Sequence, residues 1–441
     1  NAADQAALAA ATQLDGRPGA MTRADGAARN LVTNLTRLAS DTGAVGVATI
    51  SFYSNIDDPE NPVPATSDAD ARYAEVLVDG RQVRYTLTPF GAWLSPELDA
   101  QAMAGMGSAT CKVPPVMICN PAETTDPDFT IGNYIGKGLK LVSVGSNGAW
   151  APGNFGYLDT NGGSNGAQGL REALGWTSVP GNCSPGTGVD TKPGATVSVT
   201  DSLNTRFDID NSSPTCPSGG TCPPSVNSVK DLIKTDGTSG NNACRVHNQG
   251  WRLPDTPYLP ASTTPLASNY PDAMGHPRDI CHAVTSSTSG ACTGPIGDGV
   301  WDIDAYFYVN YNGATSAQWR AALAASAAYP VTSSGSMPPY GVTRYQVYRW
   351  EMANAGTALN GQTVLGPRTV SGSGGNALRS RGGAYCTTPG ITPGGNIPDR
   401  RRISVAVVNC TDQGVSGNST NVGVVKWLDV FLVEPSLNRA R

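Results

Sequence analysis

Residues 402–409 read RISVAVVN and residues 422–433 read VGVVKWLDVFLV. Val, Ile, Phe and Trp dominate both runs, and these residues favour strands and supply enough apolar surface for the core of a sheet. The run from Val342 to Trp350 has a similar character and is also predicted to be extended. The end of the chain is therefore predicted to be rich in β-structure.

The opening residues 1–16, NAADQAALAAATQLDG, predict a helix instead. Ala has the highest helix propensity, and Asp15-Gly16 supplies a stop signal. Because nearly every face of this helix carries Ala, a neighbouring backbone can approach it closely. We expect five residues to form an assembly surface: Ala3, Ala7, Leu8, Ala11 and Leu14. The alternative is an ordinary surface helix with Asn1 as its N-cap.

A second helix is predicted from Thr22 to Ala39, before the apolar period changes to two. Val45 to Tyr53 then predicts a strand, and Tyr73 to Leu87 predicts a hairpin that turns at Asp79-Gly80. Leu94 to Met106 is predicted to be helical. From 120 to 340, Gly, Ser, Asn, Thr and Pro indicate many loops around short helices, of which 169–175 and 316–327 are the clearest.

We therefore predict an α+β, β-rich fold with an N-terminal Ala-rich helix, mixed and antiparallel sheets, and a loop-rich middle held by disulfides. Four segments are expected: a helical segment at 1–40, an α+β block at 41–120, a loop-rich insertion domain at 121–340, and a C-terminal β-rich segment at 341–441 that packs with 41–120.

Charge and hydropathy exclude some partners. The net charge is −5, so the sequence has no excess of the basic residues that neutralise the phosphates of a nucleic acid. The sequence also has no run of about 18 apolar residues, the length at which a transmembrane helix is predicted.

The ten cysteines are even in number, and several lie in Gly/Pro/Ser-rich stretches that do not shield a thiol. This usage is typical of an oxidising compartment, so we expect disulfides and an extracytoplasmic location. Spacing alone does not fix the connectivity. Pairing neighbours first, and the remaining two by elimination, gives Cys111–Cys119, Cys216–Cys222, Cys281–Cys292, Cys386–Cys410 and Cys183–Cys244.

The sequence lacks the common motifs of hydrolases and zinc sites. The three histidines, His247, His276 and His282, form no H-E-x-x-H motif, and no G-x-S-x-G elbow marks a serine nucleophile. No C-x-x-C pair indicates a zinc site. We therefore expect no enzymatic activity. The alternative is a secreted hydrolase whose triad is assembled from distant residues.

Acidic and amide side chains suggest cation binding. Asp159, Asn161 and Asn165 lie in the stretch DTNGGSN, whose oxygen atoms make it a weak calcium candidate. The alternative is an Asn-Gly turn, and no other cofactor is expected. Two acidic pairs can bind a cation, act as acid and base, or more commonly cap turns: Asp208 with Asp210, and Asp302 with Asp304.

Two further clusters have a structural and a functional interpretation. Arg400-Arg401-Arg402 precedes a predicted strand, so we expect solvated or paired charge at a sheet edge, with partner docking as the alternative. An aromatic cluster is predicted to pack in the core, with carbohydrate stacking as the alternative. Its members are Trp301, Tyr306, Phe307, Tyr308 and Tyr311.

The first eleven residues, NAADQAALAAA, resemble the NAAD-x-AALAAA signature that follows the transmembrane helix in TadE/TadG-like proteins of the Flp/Tad pilus system. Other stretches are similar to the longer TadG-like members: CKVPPVMICNP at 111–121, TKPG at 191–194, LNTRFD at 203–208, RRISVAVVNC at 401–410 and WLDVFLVEP at 427–435. Some members carry a von Willebrand A domain. Its metal motif is not matched at Ser334-Gly-Ser, because Thr332 stands where Asp is required.

The resemblance implies a non-catalytic, extracytoplasmic structural subunit of a pilus or surface filament, as a minor or tip component. Its implied partners are further copies or other pilins, contacted through the N-terminal helix. A membrane would be contacted only through an apolar helix upstream of Asn1. The alternative is a secreted adhesion module for carbohydrate or Ca²⁺, whose partner is a glycan or a host or abiotic surface.

Overall fold

The structure is a computed structural model. It describes residues 2–31, 46–56, 61–82, 97–106, 109–111, 114–140, 142–143, 154–159, 166–181, 183–185, 188–192, 199–210, 215–235, 242–283, 292, 294–326, 341–370, 378–383, 385–386, 393–395 and 399–437. The chain divides into two compact units, Asn1–Ser108 and Ala109–Arg441. Helices, mixed and antiparallel sheets and five disulfides among these residues confirm the predicted α+β, β-rich class.

Unit 1 pairs two helices with a four-stranded antiparallel sheet in the order β2-β1-β3-β4. Its elements are α1 (Ala2–Ala11), α2 (Ala20–Leu31), β1 (Val47–Asn55), β2 (Val63–Pro64), β3 (Tyr73–Gln82) and β4 (Glu97–Gly105). The predicted helical segment 1–40 and most of the 41–120 block therefore contribute to one unit.

The Ala face of α1 is buried inside unit 1. Ala6 and Ala10 are fully enclosed and belong to one apolar cluster with Ala74 and Val76 of β3. Because Ala carries only a methyl group, the helix can lie close to the sheet. This corrects the predicted assembly surface. Only Leu8 of its five residues is exposed, at 61%, and the other four are buried: Ala3, Ala7, Ala11 and Leu14.

Two predictions in unit 1 are wrong. β3 continues through Asp79-Gly80, where its pairing with β4 shifts register, so the dipeptide forms a bulge within a strand instead of a hairpin turn. β4 occupies a stretch predicted to be helical. Ala102 and Ala104 pack towards the buried face, while Met103 between them is exposed, so strand pairing overrides the helical propensity of Ala.

Unit 2 contains the remaining elements. Its helices are α3 (Ala167–Gly175), α4 (Asp201–Asn204), α5 (Ile280–Ala283), α6 (Ile303–Asn310), α7 (Ser316–Ala324) and α8 (Arg344–Ala353). Its strands are β5 (Ala109–Thr110), β6 (Val116–Cys119), β7 (Val142–Ser143), β8 (Asn154–Leu158), β9 (Ser184–Pro185), β10 (Gly188–Val189), β11 (Thr191–Lys192), β12 (Ile233–Thr235), β13 (Trp251–Arg252), β14 (Ala358–Leu359), β15 (Gln362–Thr363), β16 (Pro367–Val370), β17 (Leu378–Arg381), β18 (Arg402–Val408), β19 (Val422–Gly423) and β20 (Lys426–Phe431).

The main sheet of unit 2 has the order β11-β8-β6-β18-β20, with β7 beside β8. β18 runs parallel to β6 and antiparallel to β20, so it lies inside the sheet. Its side chains alternate between two apolar clusters: Val405 and Val407 face one, and Ala406 and Val408 face the other. Because both faces are covered, the strand reads as a continuous apolar run. The prediction of a strand at 402–409 is confirmed.

The aromatic core of unit 2 lies around α6, α7 and α8. The ring of Phe307 stacks on that of Trp319, with centroids 5.2 Å apart. Four members of the predicted aromatic cluster are buried, whereas Tyr308 is 45% exposed. The prediction of a strand at 342–350 is wrong, because the stretch from Arg344 onwards belongs to α8. Thr343 and Gln346 form a reciprocal capping box that starts the helix.

Unit 2 contains five disulfides, of which three link positions far apart in the sequence and two close short loops. Two of the suggested pairs are present, Cys216–Cys222 and Cys281–Cys292. The other three suggestions are wrong. In these cases the fold places a cysteine next to one that is distant in the sequence, and not next to its nearest neighbour in the sequence. The observed bridges are Cys111–Cys183, Cys119–Cys410 and Cys244–Cys386.

These bridges indicate an oxidising, extracytoplasmic environment. Among the described helices, none has the length and apolar character needed to span a membrane.

The longest and the shortest loops closed by a disulfide are expected to contribute differently to the stability of the protein. The Cys119–Cys410 bridge closes 291 residues and the Cys216–Cys222 bridge closes 6. If disulfides act by restricting the unfolded chain, replacing Cys119 and Cys410 with Ala should lower the free energy of unfolding by about 3–5 kcal/mol. The same change at Cys216 and Cys222 should cost about 2 kcal/mol. Urea unfolding followed by Trp fluorescence measures both, and equal or reversed losses would contradict this expectation.

Candidate functional site

Asp302 is the N-cap of α6, and Asp304 lies in the first turn of that helix. The carboxylate of Asp302 accepts hydrogen bonds from the backbone N–H groups of Ala305 at 3.2 Å and Leu266 at 2.8 Å. Asp304 accepts a hydrogen bond from the indole N–H of Trp319 at 2.7 Å. Asp302 therefore has the predicted capping role. Asp304 instead joins α6 to α7, because it also accepts a hydrogen bond from the hydroxyl of Ser316 at 2.6 Å.

The calcium candidate is only partly described. Asp159 follows β8, while Asn161 and Asn165 lie outside the described residues, so this site stays a prediction. Asp208 has a left-handed backbone with φ of +63° and accepts hydrogen bonds from the N–H groups of residues 385 and 386, both at 2.8 Å. It ties two distant loops together.

Two of the three histidines make only local contacts, His247 in a turn and His282 on the short helix α5. His247 accepts a hydrogen bond from the N–H of Gln249 at 3.1 Å, and Nε2 of His282 lies 3.0 Å from the carbonyl oxygen of Gly294. The sulfurs of residues 281 and 292 lie near His282, but they are joined to each other and are not thiolates. His276 differs, because its side chain is fully enclosed.

A polar cluster, which we call the Glu351 centre, surrounds His276 in the core of unit 2. Its members are Asn227, His276, Tyr306, Tyr311 and Glu351. Oε1 of Glu351 accepts hydrogen bonds from the hydroxyls of Tyr306 at 2.5 Å and Tyr311 at 2.6 Å. Oε2 accepts from the amide of Asn227 at 2.6 Å and lies 3.4 Å from Nε2 of His276. Each oxygen therefore has two donors, which satisfies a carboxylate that is shielded from water.

Helices and loops together position this centre. Glu351 lies on α8, and the two tyrosines lie on α6 and directly after it. The ring of His276 stacks on Tyr306 at 4.9 Å and meets the edge of Phe431 of β20 at 5.4 Å. The centre therefore fixes two loop residues, 227 and 276, to two helices and the main sheet.

Burial sets the protonation states of the centre. It lowers the pKa of His276 from 6.5 to about 4, so the imidazole is neutral at pH 7. Burial and the charge of Glu351 raise the pKa of Tyr306 and of Tyr311 well above 10, so both hydroxyls keep their protons. Burial alone would raise the pKa of Glu351, but the hydrogen bonds from His276 and the tyrosines lower it.

The arginine run is a second buried feature beside this centre. Arg400 and Arg401 are almost fully buried, which corrects the expectation of solvated or paired charge at a sheet edge. Arg401 donates to the backbone carbonyl oxygens of residues 229, 432 and 433, at 2.9 to 3.1 Å. Burial lowers the pKa of both arginines to about 10, so both stay charged at pH 7. Arg402 alone is exposed, and it lies 3.7 Å from Asp429.

The Glu351 centre has the residue types of a catalytic site, but its geometry favours a structural role. A general base has to reach a substrate proton directly or through one water. The side chains of His276 and Glu351 are fully enclosed, and Glu351 is occupied by protein donors.

Sequence reasoning considered His276 only as an isolated histidine and missed Asn227 and Glu351. One signal was available. Thr343-x-x-Gln346 is a capping-box pattern, which predicts a helix and places Val347, Trp350 and Glu351 on one face. A carboxylate on that apolar face indicates a buried polar cluster.

The chain matches no protein-family model, no curated protein and no solved structure. The resemblance to TadG-like proteins therefore stays a prediction.

The low pKa of His276 predicts a loss of stability in acid. The unfolded chain binds the proton near pH 6.5 and the folded chain only near pH 4, so stability is full above pH 6.5 and falls as the pH drops towards 4. Between pH 7 and 4.5, His276 should account for a loss of about 2–3 kcal/mol. His276→Gln, which keeps a donor near Glu351, should remove this part of the pH dependence in urea unfolding. The exposed His247→Gln should keep it, and identical pH slopes for wild type and His276→Gln would contradict the assignment.

Proposed function

We propose that the chain is a non-catalytic, extracytoplasmic structural subunit of a pilus or bacterial surface filament, of the TadG-like kind and as a minor or tip component. The resemblance of the first eleven residues to a pilus-protein signature suggests this function. The disulfides of unit 2 and its buried polar centre are compatible with a subunit that has to stay folded outside the cell.

The observation that carries the proposal is that α1 has one buried face and one exposed face. Its Ala face is buried inside unit 1, so only the outer face of the helix is available to a neighbouring subunit that binds there. That face carries Asp4, Gln5 and Leu8, which are exposed. A single exposed leucine is ordinary on a protein surface. It is informative here because it belongs to the stretch that resembles the pilus signature.

Leu8→Asp tests this surface without disturbing the fold. Because Leu8 is 61% exposed, the substitution should change the free energy of unfolding by less than about 0.5 kcal/mol. Incorporation into surface filaments should fall at least several-fold, since a charge would be buried at the contact. Immunoblots of sheared filaments from the bacterium measure incorporation, and circular dichroism measures stability.

The matched control is Leu31→Asp, since Leu31 on α2 is 50% exposed in the same unit. It should be incorporated like wild type. Normal incorporation of Leu8→Asp, or an equal loss in both variants, would contradict the proposed surface.

One observation favours the second candidate, a carbohydrate-binding adhesion module. The half-exposed ring of Tyr308 stacks on that of Tyr270, with centroids 4.0 Å apart. Exposed aromatic rings of this kind can stack on sugars. The calcium variant of this candidate depends on residues outside those described.

A further inference from the structure

A small polar space lies beside the Glu351 centre, lined by residues of α6, α8, β15, β16 and β17. About 20 Å³ of it is free for the centre of a sphere the size of a water molecule. By this measure one buried water needs roughly 10–15 Å³, so the space has room for one water and is too small for an organic ligand. Three side chains on its wall have hydrogen-bonding groups that no described residue uses: Asn310, Gln362 and Arg368.

The guanidinium of Arg368 has one nitrogen without a partner. Its Nε donates to the hydroxyl of Ser380 at 3.1 Å, and its Nη2 donates to the backbone carbonyl of Asp272 at 2.5 Å. Nη1 has no hydrogen-bond partner among the described residues. Burial lowers the pKa of Arg368 to about 10, while the charge of Asp272 opposes that shift, so the group is charged at pH 7. An N–H of a charged group that is largely shielded from bulk solvent needs an acceptor.

Two amide oxygens on the same wall lack a donor. Asn310 uses its NH₂ group to donate to the carbonyl oxygens of residues 274 and 306, both at 3.0 Å. Gln362 donates in the same way to residues 363 and 367, both at 3.2 Å. These carbonyl acceptors fix the orientation of both amides, because a rotated amide would place oxygen against oxygen. Within the described residues, neither side-chain oxygen accepts a hydrogen bond from protein.

From this complementarity we propose that the space binds one water molecule as a fixed part of the fold. The water accepts a hydrogen bond from Nη1 of Arg368 and donates to the side-chain oxygens of Asn310 and Gln362. Three hydrogen bonds are the usual number for a buried water. The water thereby links α6 to β15 and β16 beside the Glu351 centre. This site is independent of the filament role proposed above, which depends on α1, so either can fail without the other.

The groups around the space favour a neutral ligand over an ion. Arg368 would attract chloride, but chloride cannot donate to the oxygens of Asn310 and Gln362. The carboxylate of Glu351, which also lines the space, would repel it. A small cation would be repelled by the charge of Arg368. Water is neutral and both donates and accepts, so it satisfies all three unused groups.

Crystals of the full chain grown in bromide in place of chloride test this assignment directly. One peak of electron density without anomalous signal should lie about 2.7–3.2 Å from the three polar atoms. An anomalous bromide peak in the space would overturn the choice of water. A space without density, in a map that shows other ordered waters, would overturn the site itself.

Gln362→Met tests the proposed hydrogen bonds, because it keeps the length of the side chain and removes one acceptor. The density peak should weaken or disappear in its crystals. Magnetic relaxation dispersion of the solvent should show about one long-lived water fewer than in wild type.

The matched control is Gln413→Met, since Gln413 is exposed, does not line the space and also hydrogen-bonds to the backbone. It should keep both the peak and the long-lived water. Urea unfolding shows whether each variant is folded. An unchanged peak and unchanged relaxation in folded Gln362→Met, or the same loss in Gln413→Met, would overturn the proposal.

Discussion

The carboxylate of Glu351 is fully buried, and two helices and two loop positions of unit 2 are held together by the hydrogen bonds and contacts around it. An unsatisfied buried carboxylate would cost several kcal/mol, so its four donors have to be held in place by the fold. Those donors come from two loop positions, 227 and 276, from α6 and from the residue that follows it. Arg401 contributes a nearby positive charge. In the described part of unit 2 most helices and strands are short, and these contacts fix the loops that connect them.

The buried arginines solve a related problem. Loops leave backbone carbonyl groups that no strand or helix pairs, and each such group needs a donor when it is buried. Arg401 donates to three carbonyl oxygens, and Arg400 and Arg206 also donate to backbone carbonyl groups. Guanidinium groups suit this task because they carry five donors in a rigid plane. Together with the disulfides, these contacts give unit 2 a polar and covalent framework in addition to its apolar clusters.

Local patterns in the sequence were sufficient for several elements. The β-branched runs predicted β1 and β18, and the Ala-rich opening predicted α1. Local patterns gave the wrong secondary structure for two elements. β4 is rich in Ala but is a strand because it pairs with β3. The sequence of α8 has the composition of a strand, and only its capping box indicates a helix. The even number of cysteines predicted that disulfides form, but it did not predict which cysteines pair. Cys119 and Cys410 meet because β6 and β18 pair in parallel and end together. The Glu351 centre escaped prediction because its members are up to 124 residues apart.

Unfolding of Glu351→Gln at pH 7 tests the structural role of this centre most directly. Glutamine keeps the size of the side chain, but its NH₂ group would face the donors of Asn227 and His276, leaving buried donors without acceptors. We predict a loss of about 3 kcal/mol in the free energy of unfolding, measured by urea titration. A loss below about 0.5 kcal/mol, as for an ordinary surface substitution, would contradict the account.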